Sequence, residues 1–357
     1  MINKNYLALL HKIWLSHKKL HLISNDYIDI KCFYNKLSWN LLYTYGFSPK
    51  QIAFILAEFK KCTIDYIDLE LRNRNVKLIT FFDEEYPDNL KNINNPPFLL
   101  YVRGTISSKP KMSVVWTRKM SSYWKSVINN IIPDISKYFT IVSWWALWCD
   151  TEAHNITLLN NWITISVIWT WINIDYPKSN KKLYDDIVYR WWSIISIFPI
   201  WENWNPHNFP VRNEIVAWLS VWVLVVEAQI KSWTFITANL ALDMWRDLFA
   251  VPWNIFSINS KWCNKLISNW FAKSIWNAND LLSEYNIWFN TEKKSKKINF
   301  TDDIEKWIYN ILVIEQFTIN ELKNKLNIDI ATLSFKLSMM EINNYIKKWF
   351  WWKYEVF

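Results

Sequence analysis

The sequence predicts an α/β fold: a doubly wound, mostly parallel sheet with a helical domain before it and a winged-helix domain after it. Two observations predict the sheet. Short, β-branched, continuously apolar runs recur from about residue 79 onward, and stretches with helical periodicity separate them. Strands that are apolar throughout and alternate with helices are typical of parallel sheets covered on both faces.

Residues 1–78 are predicted to form the N-terminal helical domain. Apolar residues recur at helical spacing in "YLALLHKI" and in "SPKQIAFILAEFK", with short polar turns between them. The joint Ile13-Trp14-Leu15, with glycine at its centre, resembles the I-G-L joint of helix-hairpin-helix or SAM-like modules. A plain helical bundle is the alternative.

Residues 79–288 carry the alternating pattern of the sheet domain. The predicted strands are 112–115, 139–143, 163–168, 193–196, 223–228 and 247–251. The predicted helices are 121–137, 150–161, 180–190, 212–220, 234–244 and 263–269. Alternation of this kind favours parallel pairing with crossover helices.

Residues 289–300 are predicted to be a solvated linker because they are rich in lysine. Residues 301–357 are predicted to hold helices at 303–313, 319–326 and 331–346, followed by a β-hairpin in "YIKKWFWWKYEVF". Three helices and a hairpin indicate a winged-helix module, which binds DNA or a partner protein or serves as a structural appendage.

The chain has 27 tryptophans and 2 glycines, whereas ordinary usage of about 7% gives about 25 glycines at this length. Tryptophan also follows asparagine at 161–162, 203–204 and 269–270, where Asn-Gly turns would be typical. A bulky residue is strained at the positive φ of such turns. We predict that most of these tryptophans are glycines in the natural protein, encoded by UGA codons that the source organism reads as glycine.

The alternative is a truly tryptophan-rich binder of carbohydrates or membrane surfaces. Such a protein would carry its tryptophans on periodic faces rather than at the breaks between strands. The sequence favours recoding over this alternative.

The bulk composition excludes several classes of protein. No apolar run approaches the roughly 18 residues of a membrane span, and the amino terminus lacks a signal-peptide pattern, so we expect a cytoplasmic protein without membrane contact. Four dispersed cysteines and five histidines show no metal-binding spacing and no disulfide framework. The net charge of +9 agrees with a polyanionic partner.

The ends of five predicted strands carry the candidate ligand-binding loops. In an open parallel sheet, ligands bind beyond the carboxyl ends of the strands. With glycine at the tryptophan positions, the loops would present backbone N–H groups to phosphate oxygens, and Arg118, Arg212 and Lys231 would add charge. One such loop would only make a turn, but five on one edge indicate an anion site. The five segments are Trp116-Thr117-Arg118, Trp144-Trp145, Trp169-Thr170-Trp171, Lys231-Ser232-Trp233 and Pro252-Trp253-Asn254.

No catalytic or cofactor motif accompanies these loops. No segment fits G-x-x-x-x-G-K-[ST], and the G-x-G that 169–171 would give lacks the rest of a dinucleotide fingerprint. Asp150, Glu152 and His154 cluster at a helix start, where Asp150 is expected to cap the helix. Glu227 ends a strand and is expected to anchor a loop. We predict a protein that is not an enzyme and has no cofactor or metal.

The segment 79–288 resembles the DprA/Smf family of DNA-processing proteins. "VVWTRKMSSYW" is similar to its V-G-[ST]-R segment, "IVSWWALWCDTEAH" to its S-G-x-A-x-G-x-D-x-x-A-H, and "ISVIWTWINIDYP" to its A-V-L-G-x-G-x-x-x-x-Y-P. The run from "NFPVRNEIVAWLS" to "VPWNIF" follows its F-P-x-R-N-R and S-G-[ST]-x-x-T-A elements. Nearly every tryptophan in this span falls on a family glycine.

The resemblance implies a Rossmann-like core and a non-catalytic activity. Members bind and protect single-stranded DNA and load the recombinase RecA onto it during natural transformation, as homodimers; single-strand-binding protein is a further candidate partner. Phe209 and Phe235 are candidates for stacking on bases. The resemblance places these residues at the DNA or phosphate site: Trp116, Thr117, Arg118, Ser143, Trp144, Trp145, Arg212, Asn213, Lys231, Ser232 and Trp233.

Two positions depart from the family pattern. Ile197 stands where the family has a glutamate, and Glu214 stands where it has the second arginine of R-N-R, which predicts weaker DNA binding. The competing interpretation is a phosphoribohydrolase-like enzyme of a related fold. That class needs a glutamate in P-G-G-x-G-T-x-x-E, and "VPWNIFSINS" has no carboxylate there.

Overall fold

The computed structural model describes residues 4–115, 121–144, 149–168, 170–172, 181–190, 192–199, 208–228, 233–284, 300, 302–343, 345–348 and 353–356. The chain forms two compact units, Met1–Trp288 and Phe289–Phe357. Among the described residues, no helix is both long and apolar enough to cross a membrane.

The described residues up to Asn75 form α-helices joined by short turns, and no strand lies among them. Serine, threonine or aspartate side chains cap five of them, as polar residues before an apolar periodic run should. Their buried faces share one hydrophobic core with the first two strands, through side chains such as Leu9, Ile52, Leu78 and Tyr101. The helices are α1 (Lys4–Lys12), α2 (His17–Asp26), α3 (Ile30–Asn35), α4 (Trp39–Thr44), α5 (Pro49–Phe59) and α6 (Ile64–Asn73).

Strands and helices alternate through the rest of the first unit. In chain order these elements are β1 (Val76–Thr80), α7 (Asp88–Lys91), β2 (Leu99–Arg103), β3 (Lys111–Val115), α8 (Ser122–Ile135), β4 (Thr140–Trp144), α9 (Cys149–Leu159), β5 (Thr164–Val167), α10 (Lys181–Tyr189), β6 (Ser193–Ser196), α11 (Asn208–Leu219), β7 (Trp222–Val225), α12 (Trp233–Asp243), β8 (Asp247–Ala250), α13 (Lys261–Ser268), β9 (Lys273–Ser274) and α14 (Ala278–Ser283).

The described strands form a nine-stranded sheet in the order β1-β2-β6-β5-β4-β3-β7-β8-β9. The strands from β6 to β9 in this order pair in parallel, whereas β1 and β2 join one edge antiparallel. The chain proceeds from β3 to β6 on one side of β3 and then crosses to β7 and β8 on the other. The crevice between β3 and β7 is therefore the topological switch point, where ligands bind in doubly wound sheets.

The mostly parallel α/β sheet predicted from the sequence is confirmed, and each of its six predicted strands is present. The strands β1, β2 and β9 were not predicted, and β1 begins inside the segment assigned to the N-terminal domain. The helix predicted at 331–346 is too long, because a helix there ends at Ile342 and Ile346 already belongs to a strand.

Three tryptophans hold a left-handed backbone at helix C-termini: Trp14 at φ 79°, Trp245 at φ 57° and Trp270 at φ 61°. Each is followed by a residue whose N–H reaches back five residues to a helix carbonyl, as in Leu15 to Leu10 at 3.1 Å and Arg246 to Ala241 at 2.9 Å. Gly46, at φ 73°, closes α4 with the same pattern. This is the Schellman motif, whose left-handed position is ordinarily glycine.

The second unit has its own core around Ile308, Leu322 and Leu337. Its described elements are α15 (Asp303–Ile314), β10 (Phe317–Thr318), α16 (Ile319–Leu326), α17 (Ile330–Ile342), β11 (Ile346–Lys348) and β12 (Lys353–Val356). The three strands form an antiparallel sheet in the order β10-β12-β11, which includes the predicted hairpin. The assignment of this unit as a winged helix stays a prediction.

Candidate nucleic-acid interface

The carboxyl ends of the central parallel strands reach one edge of the sheet together. Val115 pairs with Val225, and Val225 pairs with Ala250, so that β3, β7 and β8 end side by side. Trp144 and Val167 pair at the ends of β4 and β5. The sequence prediction that the candidate loops leave from a common edge therefore agrees with the register of these strands.

Most of the predicted DNA-binding residues belong to the loops themselves. Arg212 lies in α11 and Trp233 is the first residue of α12, and their side chains are outside the described part of the chain. The residues that lie wholly outside the described ranges are Trp116, Thr117, Arg118, Trp145, Lys231 and Ser232.

Ser143, Trp144 and Asn213 are described, and all three are buried. The Ser143 hydroxyl donates to the carbonyl oxygen of Val114 at 2.9 Å, inside the sheet. Trp144, the last residue of β4, packs into the core beneath the edge. The Asn213 Oδ1 atom has no hydrogen-bond partner among the described residues. Their role in phosphate binding stays a prediction.

His154 connects the end of β4 to β5. Its Nε2 lies 3.3 Å from the carbonyl oxygen of Trp144, and its Nδ1 lies 2.6 Å from Oγ1 of Thr164. Burial lowers the pKa of His154 to about 4. This ring is a neutral structural group at the edge of the site.

The cluster of Asp150, Glu152 and His154 shows no catalytic pairing in the described residues. Glu152 forms an ion pair with Lys125 at 3.3 Å, while His154 points into the core. The side chain of Asp150 lies outside the described part. No group of three or more metal-ligating side chains lies together within the described ranges.

Glu227, just beyond β7, anchors a loop as the sequence suggested. The Ser121 hydroxyl donates to Glu227 Oε1, and the same hydroxyl accepts from the backbone N–H of Trp124 at 3.1 Å, which caps α8. Ser121 was not among the predicted residues. The available signal was its place at the predicted start of a helix, where serine is a preferred cap.

The two departures from the family pattern lie in different environments. Ile197 is buried in the core, and its carbonyl oxygen accepts from Nε2 of His17 at 2.9 Å. Glu214 is half-buried on α11, and burial raises the pKa of its carboxyl.

An ordered apolar loop follows β8 and begins with the predicted segment Pro252-Trp253-Asn254, but its apolar side chains were not predicted to take part in the site. Ile255, Phe256 and Ile258 follow β8 and are 71%, 88% and 63% exposed. The Asn254 side chain accepts from the Phe256 N–H at 2.9 Å, and the Ala228 N–H donates to the carbonyl oxygen of Asn259 at 2.9 Å. The loop is thereby tied to the residue that directly precedes the loop carrying Lys231.

Comparison with known proteins matches residues 77–286 to the family of DNA recombination-mediator protein A, which covers well over half of the chain. The chain belongs to the DprA/Smf family. DNA processing protein DprA of Streptococcus pneumoniae is 33% identical over 224 residues, which are 62% of this chain and 79% of that protein. DprA of Bacillus subtilis is 34% identical over 217 residues, covering 60% and 72% of the two chains.

Two solved structures share the DprA fold with this chain. The X-ray structure of DprA from Streptococcus pneumoniae superposes with a TM-score of 0.68 at 28% identity, covering 80% of this chain and 99% of that one. DprA from Helicobacter pylori gives a TM-score of 0.52 at 23% identity, over 60% and 97% of the chains. The resemblance inferred from the motifs is confirmed at the level of the family.

Proposed function

We propose that this DprA-family protein is a cytoplasmic mediator of DNA recombination that binds single-stranded DNA without catalysis. It binds at the carboxyl edge of the sheet, protects the strand and loads RecA onto it, acting as a homodimer during DNA uptake. The observation that carries this proposal is the family match over residues 77–286, which spans every candidate loop. The Helicobacter pylori relative, described by its single-stranded DNA binding mode, supports the ligand.

The test measures binding of a fluorescent oligothymidylate by the full chain at several salt concentrations. The logarithm of the binding constant should fall by about 0.7 per phosphate contact for each log unit of salt. Arg118→Ala and Lys231→Ala should each weaken binding equally for all sequences and reduce this slope. Lys137→Ala is the matched control, because this exposed lysine lies before β4, at the amino edge. Equal binding by all three variants would contradict the site.

The recombination step needs its own measurement. Addition of the protein should accelerate RecA filament formation on strands coated with single-strand-binding protein, and it should slow digestion of the strand by a nuclease. Light scattering would report the homodimer. If the protein binds single-stranded DNA but has no effect on RecA, the mediator role is contradicted and only the DNA-binding activity stands.

We also infer that most tryptophans of this chain are glycines in the natural protein. Trp245 and Trp270 at left-handed Schellman positions support this, because a side chain there costs about 1–2 kcal/mol and these two exposed indoles gain little packing in return. Trp245 and Trp270 are 96% and 94% exposed. Trp124 and Trp222, by contrast, fit into the core without such strain.

The codons at Trp116, Trp144 and Trp253 provide the test. UGA at these places, together with peptide masses of the native protein that require glycine, would support recoding. UGG codons would contradict it and would leave indoles where the phosphate-binding amides are proposed. This outcome is independent of whether the protein binds DNA.

A further inference from the structure

Helix α17 of the second unit has a second apolar face, which is exposed. Its buried face contributes these side chains to the core of the unit: Leu333, Leu337 and Met340. On the other face, Phe335, Met339 and Ile342 are 62%, 37% and 72% exposed. Steps of three and four residues place them on one side of the helix with two small exposed residues, Ala331 and Ser338. We call these five exposed residues the α17 stripe. Contiguous exposed apolar side chains, unlike scattered ones, indicate an interaction surface.

The charges of α17 do not suit a nucleic-acid partner. Binding to a phosphate backbone needs lysine or arginine side chains, and α17 contains one basic residue, Lys336. Its ammonium group forms ion pairs with Asp302 and, at 3.6 Å, with Glu305 of the same unit. The α17 stripe itself contains no charged residue. The stripe therefore fits an uncharged apolar face, and pairing with its own copy brings no like charges together.

The α17 stripe is also complementary to itself in shape. In two antiparallel helices related by a twofold axis, residues at equal distances from the axis face each other. An axis halfway between Phe335 and Ser338 brings Phe335 opposite Ser338 of the second copy. Farther from the axis, the same arrangement brings Ala331 opposite Ile342. Each large side chain thus meets a small one, so that the two helices interdigitate at an ordinary axial distance of about 8–10 Å.

We propose that the α17 stripe is a self-association surface, at which two copies of this chain pack their α17 helices antiparallel. A helix of 13 residues is about 20 Å long, so one helix pair buries less than the roughly 1,200 Å² of a specific, stable interface. The pairing is therefore weak, and we expect it at protein concentrations of about 100 µM rather than about 1 µM. It goes beyond the proposed function, since it involves no DNA.

Cross-linking of the full chain tests the contact. Ser338→Cys, in a background in which the exposed Cys32 is replaced by serine, should form a covalent dimer with a short bis-maleimide at about 100 µM protein. Position 338 is suitable because it lies near the proposed axis and its small side chain can be replaced without changing the large residues of the stripe. Asn324→Cys, exposed on α16, is the matched control and should give no more dimer than the background protein.

A pair of charge variants tests the register. Phe335→Lys and Ser338→Glu each bring a charge into the apolar contact, and each alone should weaken self-association about tenfold or more in sedimentation equilibrium. An equal mixture of the two variants should recover it, because the proposed axis places the new ammonium group opposite the new carboxylate. Asn324→Lys, which adds the same charge outside the stripe, should associate as the wild type does.

Folding is checked in dilute protein, where the copies are separate. The substituted side chains are exposed, so each variant should keep the wild-type circular dichroism and unfolding transition. A change in that transition for Phe335→Lys in dilute protein would mean that the stripe contacts its own chain, and this would overturn the inference. Dimer yields equal to the control, or mixtures that do not recover association, would overturn it as well. A homodimer that persists in every variant would leave the proposed function intact, whereas a wild type that pairs but binds no DNA would overturn only the proposed function.

Discussion

The imidazole of His154 and the hydroxyl of Thr164 lie 2.6 Å apart in the interior of the first unit, where neither side chain is exposed. The histidine stands on α9 and the threonine begins β5, so this contact fixes a helix against the sheet next to the candidate site. Protonation of the ring would place a positive charge in this buried environment, which costs free energy.

We expect His154 to make the fold sensitive to acid. Burial lowers its pKa from 6.5 to about 4. Between these two pH values the unfolded chain therefore binds a proton at this ring, whereas the native state does not. The stabilisation is complete above pH 6.5 and declines as pH falls from 6.5 towards 4. The contribution of His154 to this loss should reach about 3 kcal/mol, measured as the difference between the wild type and His154→Gln in urea unfolding at several pH values.

The matched variants for this titration lie on the same helix. His154→Gln should have a shallower dependence of unfolding free energy on pH, whatever its stability at neutral pH. Thr157→Val, also buried on α9, should change stability by the same amount at each pH because it does not titrate. An unchanged slope in His154→Gln would show that other groups cause the acid sensitivity.

Gly46 and Gly104 should respond differently to alanine. Gly46 has φ 73°, and a new Cβ would meet only the flexible end of Lys19 at 3.5 Å, so Gly46→Ala should cost about 1–2 kcal/mol. Gly104 has φ 85°, and its Cβ would lie 1.7 Å from the Trp192 carbonyl oxygen. Because backbone must move, Gly104→Ala should cost clearly more, about 3 kcal/mol or above, in the same unfolding measurement. Equal losses would contradict the close approach of these segments.

The central sheet could be predicted from the sequence because its strands are apolar on both faces and separated by helical periodicity. The outer strands lack that signature. β1 has an exposed Lys77 between half-buried and buried neighbours, and β2 joins it antiparallel across a connection with only one short helix. Their pairing depends on tertiary contacts that periodicity does not report.

The same limit applies to the candidate site. Its location followed from the rule that parallel strands present ligands at their carboxyl ends, so the loop residues could be named. Side-chain partners could not be named in this way. Glu227 and Ser121 are 106 residues apart, and the Ser143 hydroxyl is directed to Val114 rather than to the edge.

Replacement of exposed left-handed tryptophans by glycine should stabilise a protein that carries tryptophan at these positions. Trp245→Gly and Trp270→Gly should each raise the unfolding free energy by about 1 kcal/mol, because glycine adopts positive φ without strain and the indoles are almost fully exposed. Trp276→Gly is the control: this tryptophan is 75% exposed but is not among the positive-φ residues. Its replacement should give no gain, and equal gains at all three positions would indicate a surface effect instead.

Phe256 should contribute to DNA binding by stacking on a base. It is 88% exposed on the loop that is hydrogen-bonded beside Ala228, next to the proposed phosphate loops, and aromatic stacking is a common contact in single-strand binders. Phe256→Ala should weaken binding of oligothymidylate by about fivefold to a hundredfold without changing the salt slope, since no phosphate contact is lost. Phe256→Trp should retain most of the affinity.

Phe271→Ala is the control, because Phe271 is 53% exposed in the turn before β9 at the amino edge. If Phe256→Ala altered the oligomeric state while leaving affinity per subunit unchanged, the loop would be a contact between proteins rather than a base-stacking surface.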